Sequence, residues 1–214
     1  MKTQKTYDSQ TAKFIATVCQ NMPELSGDIM QGWIENPKGL KKFLKGLYPS
    51  ETVGKLATQT EFLRLISEGK ELMLGACDGT DIIPGSNDMF EAGIDLDFVR
   101  YGADEKGSAT GETKISVYEL IKDANFVDVF GSLGDIIYLC LTQHQIKDFI
   151  KKHRKWLKAD GCATIFPFKS RNQLFVASVY VYSDGVLRVD VDRFEDPYVW
   201  RADFHRRVVF PKLA

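Results

Sequence analysis

Net charge is almost absent from this chain: 28 lysine and arginine residues stand against 29 aspartate and glutamate residues, leaving −1 over 214 residues. No global field draws it toward nucleic acid or an anionic membrane, so an electrostatic partner has to be recruited by a local patch. Cysteine is sparse. Cys19, Cys77, Cys140 and Cys162 form no C-x-x-C pair and meet no histidine at zinc-ligand spacing, which argues against a zinc ribbon and fits reduced thiols in a cytoplasm. Long apolar runs are missing as well. The stretch Phe14 to Cys19 is interrupted by Thr17 and too short for a signal peptide, and no segment reaches the ~18 uncharged residues a membrane span needs. A soluble, cytoplasmic protein without a membrane partner is the expectation. The chain also lacks a P-loop, a dinucleotide fingerprint after a strand, G-x-S-x-G and H-E-x-x-H, so the sequence assigns no catalytic residue, no cofactor and no metal.

What is present reads as an α+β protein: short helices at the N-terminus, then a mainly antiparallel β-sheet packed by an amphipathic helix over residues 142–158. Residues 1–69 read as a helical region and 70–214 as a sheet domain, with 134–141 as the place where the second could divide. Asp8 or Ser9 caps a first helix toward Gln20, and Ser26 caps a second that Asn36-Pro37 ends. A third, from Pro37, sets Leu40, Phe43, Leu44 and Leu47 against Lys38, Lys41, Lys42 and Lys45, and a fourth is expected over "TEFLRLISEG". Strands follow in "KELMLGAC" and "GETKISVYEL", and "GIDLDFVRYG" between them is ambiguous. Asp123 or Asn125 begins a short helix over "FVDVFGSL". "CATIFPFK" and "RRVVF" supply two later strands, Pro167 placing the first at an edge or bulge.

The hairpin "LFVASVYVYSDGVLRVDVDRF" admits two registers. A two-residue loop pairs Val179 with Asp190. A three-residue loop, Ser183 to Gly185 with Gly185 left-handed, pairs Val181 with Leu187, Val179 with Val189 and Ala177 with Val191. Only the second keeps apolar side chains on one face, so it is the expected one. It leaves Tyr180, Arg188, Asp190 and Asp192 on the other face, read as solvent-exposed.

The helix opened by the Thr142/Gln145 capping box carries Ile146, Phe149, Ile150, His153, Trp156 and Leu157 on one arc. Lys147, Lys151, Arg154 and Lys158 line its flank as a basic stripe. A solvated face is the ordinary reading of such a stripe; phosphate contact makes it a candidate nucleic-acid site. His153 reads as a hydrogen-bonded core histidine, and a Cys162–His153 nucleophile pair is the third, enzymatic alternative. Acid-rich "CDGTD", "GIDLD" and "DVDRFED" fit no calcium loop. Aromatic residues gather at the C-terminal end, and Tyr180, Tyr182, Arg188, Tyr198 and Trp200 form a candidate interaction surface, with Trp200 also suited to closing the sheet.

Two longer runs, "LCLTQHQIKDFIKKHRKWLKADGCATIFPF" and "LFVASVYVYSDGVLRVDVDRFEDPYVWRADFHRRVVFP", resemble a group of uncharacterised small bacterial proteins. The shared pattern is L-T-Q-x-Q-I, H-x-x-W-L, D-G-x-A-T-F-F and V-W…H-R-x-V-x-P; "ELMLGACDG", "VYELIKDANFVDVFGSLG" and "IMQGWIENPKGLKKFL" are similar to upstream segments of that group. Cys162 and Pro167 depart from it, standing where the group more often has Tyr or Gly and Leu. The resemblance implies a compact bacterial protein without an established activity. Together these features point first to a non-catalytic protein with a protein partner, and second to a nucleic-acid-binding protein.

Overall fold

The structure is a computed structural model that describes residues 60–131 and 133–212, with Gln31, Glu35 and Asn36. The chain divides into two compact units, Met1–Ser50 and Glu51–Ala214. Of the three helices expected before residue 50, the first and third lie outside the described residues. In the second, Gln31 and Glu35 are helical and joined by a side-chain hydrogen bond of 2.8 Å.

In the larger unit, eight strands form one mixed sheet ordered β1-β4-β8-β5-β6-β7-β3, with β2 also on β4. They are β1 (Leu63–Leu65), β2 (Leu72–Leu74), β3 (Gly93–Ile94), β4 (Thr113–Leu120), β5 (Ala163–Ser170), β6 (Gln173–Val181), β7 (Leu187–Arg193) and β8 (Arg207–Pro211). Among the described strand pairs, β3–β7 and β5–β8 are parallel and the rest antiparallel. The α-helices of this unit are α1 (Asp97–Arg100), α2 (Phe126–Gly131) and α3 (Gln143–Lys152). The fold class is α+β.

Alternation along the strands buries both faces, because successive side chains point to opposite sides. Phe175, Ala177 and Val179 of β6 join Val189 and Val191 of β7 beneath Ile146, Phe149 and Ile150 of α3. Val176 faces the other way, into a second cluster with Phe126, Phe130, Ile165, Trp200 and Phe210. The hairpin takes the expected register: Val181 opposite Leu187, Val179 opposite Val189, Ala177 opposite Val191. Gly185 has φ +87°, and Tyr182 and Val186 close the three-residue loop.

Four expectations are corrected, and one choice left open is decided. The fourth helix is instead β1, because Leu63, Arg64 and Leu65 find antiparallel partners in Leu120, Glu119 and Tyr118; the sheet thus starts upstream of residue 70. The segment 134–141 does not divide the sheet unit, since Leu139 is buried and Leu133 and Ile136 pack on the second cluster. Of the two caps expected for α2, Asn125 is the one that accepts the capping bond, from the Asp128 N–H at 2.8 Å. β5 is central rather than at an edge; Pro167 fits because it lies beyond the Thr164–Ile165 stretch that pairs with β8 and needs no donor there. Finally, α3 ends at Lys152 and residues 154–156 form a 3-10 turn, so the helical stripe is cut short.

Candidate functional site

α3 organises its surroundings through side chains that the capping box sets in place. Thr142 and Gln145 form that box. Gln143, buried, accepts from the Ile83 N–H at 3.0 Å and donates to the carbonyls of Ala103 (3.1 Å) and Glu105 (3.0 Å), tying two loops to one amide. Gln145 reaches Thr113 of β4 at 2.9 Å. The C-terminal end of α3 works on the outer edge of β2: Asp148 accepts from the Gly75 N–H at 2.9 Å, and His153 Nε2 lies 3.0 Å from the Met73 carbonyl. Arg207 donates to the carbonyls of Lys155 (3.2 Å) and Leu157 (3.0 Å), satisfying groups that the helix end leaves open.

The basic stripe is not continuous. Lys147 is buried, paired with Asp81 and in reach of the Ile82 carbonyl at 3.3 Å, so it does not face solvent. Lys158 is only half-buried but lies past the helix end, its N–H bonded to Thr164 Oγ1 at 2.7 Å. Lys151 and Arg154 are exposed and come together on one open cleft of about 530 Å³, where Arg154 holds the Gly185 carbonyl at the hairpin tip. The same cleft is also lined by Asp88 and Glu91, which sequence reasoning missed; nothing local marks that loop as part of a cleft.

The aromatic residues separate by burial. Trp200 is 7% exposed and closes the second cluster, 5.3 Å from Phe126, with its backbone bridged to Ala124. Tyr198 is 58% exposed and sits edge-on to Trp200 at 5.3 Å, with Val199 and Phe204 also exposed. Arg206, absent from the sequence-derived surface, lies 4.6 Å from the Trp200 ring and 4.7 Å from Phe204. The alternation of aromatic and arginine residues in "WRADFHRR" was the available signal.

Tyr180 and Arg188 face each other across β6 and β7, and Arg188 pairs with Asp190 at 2.7 Å. Tyr182 stands exposed beyond them. This face is not the open strand face expected: Ser178 is buried, burial foremost pushes the Tyr180 hydroxyl up to about 12, and burial followed by Asp196 and Asp190 pushes Asp192 up to about 6.

His153 stacks against Phe149 and shares no hydrogen bond with Cys162, so the nucleophile pair is not formed. Burial raises the Cys140 thiol to about 12, far from a thiolate at neutral pH. Among the described residues no group of three or more His, Cys, Asp or Glu side chains is placed to hold a metal ion, and no helix is long and apolar enough to cross a membrane. No family model, curated protein or solved structure matches the chain.

Proposed function

We propose that the protein is a non-catalytic binding protein that presents the ridge Tyr198, Val199 and Phe204 to an apolar surface of a protein partner. The observation that carries this reading is the contrast between a buried Trp200 with Tyr198 edge-on to it and the exposed apolar side chains of Val199 and Phe204 in the same segment. Exposed apolar groups gathered on one segment mark interaction sites more often than chance surface. The ridge is also preorganised, since Trp200 bridges Ala124 and the Ala202 N–H bonds Asp123 at 2.7 Å, which lowers the ordering cost of binding. The residues carrying the bacterial resemblance support a binding role over catalysis: Thr142, Gln143, Gln145, His153 and Arg207 are all engaged in holding the fold.

Nucleic acid is the weaker alternative, because Lys147 is already paired and Lys151 and Arg154 share their cleft with Asp88, Glu91 and Asp184. The test is affinity capture with the wild-type chain and with Tyr198→Ser/Phe204→Ser, two exposed changes that leave the unfolding midpoint in place. The proposal expects a defined protein set retained by the wild type and lost by the variant. Identical capture by both, or capture that nuclease abolishes, overturns it.

A further inference from the structure

The cleft beside the hairpin tip is independent of the aromatic ridge, and its basic and acidic side chains come from different elements. Lys151 and Arg154 enter from the α3 side; Asp88 and Glu91 enter from the loop before β3, and Asp184 from the hairpin. Between them the lining is apolar, with Ile150 and Leu187 almost wholly buried at its base and Met89 half-buried beside them. Lys151, Asp88 and Glu91 are exposed and take part in none of the ion pairs among the described residues, whereas Asp184 already accepts from the Val186 N–H at 3.1 Å.

A polyanion does not suit this arrangement. A phosphate brought to Lys151 would enter a cleft that also holds Asp88, Glu91 and Asp184, and like charges at close range cost binding energy. A purely cationic ligand meets the mirror problem at Lys151 and Arg154. An apolar lining that carries both basic and acidic side chains suits a ligand with an ammonium and a carboxylate around an apolar body. The volume of about 530 Å³ lies within the range of small-ligand sites.

We infer that this cleft binds a zwitterion with an apolar side chain, a free amino acid or a short peptide, with its carboxylate toward Lys151 and Arg154 and its ammonium toward Asp88 and Glu91. Arg154 keeps donors free for the carboxylate, since a guanidinium offers five and only one nitrogen is engaged at Gly185.

The experiment titrates the isotope-labelled full-length chain with leucyl-leucine, leucine, N-acetyl-leucyl-leucine and leucyl-leucinamide, following the backbone amides of Gly185, Val186 and Lys151. Expected are saturable shifts with the free dipeptide or with leucine, and binding about tenfold weaker when either charge is blocked. Tighter binding of the dipeptide assigns a peptide, and tighter binding of leucine a free amino acid. Lys151→Glu and Glu91→Lys, both exposed, should each weaken binding while leaving the unfolding midpoint in place. No saturable shift with any zwitterion, or equal binding of the charge-blocked forms, overturns the assignment.

Discussion

His153 Nε2 lies 3.0 Å from the carbonyl oxygen of Met73, and because a carbonyl only accepts, the imidazole carries its hydrogen on Nε2. The bond joins the last turn of α3 to a strand residue eighty positions earlier in the chain. Asp148 of α3 and His153, which caps its C-terminus, thereby both engage the outer edge of β2, at Gly75 and Met73.

His153→Phe keeps an aromatic ring against Phe149 but leaves the Met73 carbonyl without that donor. A loss of about 1–2 kcal/mol is expected in urea unfolding, against less than about 0.5 kcal/mol for Lys155→Ala at an exposed neighbour. Nitrogen NMR of the wild-type ring should show the Nε2–H tautomer at neutral pH; an Nδ1–H tautomer contradicts the assigned bond.

Gly185→Val puts a β-branched residue at φ +87° in a site with open space around the new side chain, so the cost is backbone strain alone. About 1–3 kcal/mol is expected. Val189→Asp, which places a charge on a fully buried position, should cost more than about 3 kcal/mol. Equilibrium unfolding of the two variants side by side checks the order.

Asp192 gives a pH signature. Its carboxyl is raised from the ordinary 3.8 to about 6, by burial first and then by Asp196, Asp190, Asp95 and Asp97. The folded state therefore holds a proton that the unfolded state has released, so this group stabilises below pH ~4 and its contribution fades as pH rises to ~6. Asp192→Asn should remove that dependence and gain about 1–2 kcal/mol over wild type at pH 7.5, with no gain at pH 3.5. Parallel unfolding curves at the two pH values decide it; an equal difference at both rejects the shift.

Local pattern sufficed where the deciding contacts were close in sequence. Turn chemistry and two-residue alternation define the hairpin around Gly185, and Thr142 with Gln145 marks the start of α3. Leu63 to Leu65 misled because three apolar-rich residues fit a helix or a strand equally, and the choice was made by β4, more than fifty residues away. Asp190 and Asp192 looked like a solvated face because groups gathered near them, Asp95 and Asp97, come from a segment more than ninety positions earlier in the chain. The cleft was half legible: Lys151 and Arg154 belong to a visible basic stripe, but Asp88 and Glu91 join them only through the path of a loop.

Strand β8 lies between β4 and β5, and it is the last strand in chain order among the described residues. The ribosome therefore makes β1, β2 and β4, and later β5, β6 and β7, before the element that joins them exists. Until residues 207–211 have emerged, β4 and β5 each wait with an unpaired side, the kind of edge that recruits neighbouring chains. Completion of this sheet thus waits for a segment made after all its other described strands, and a nascent chain stalled before Arg207 exposes two templates for misassembly where the finished protein has an interior.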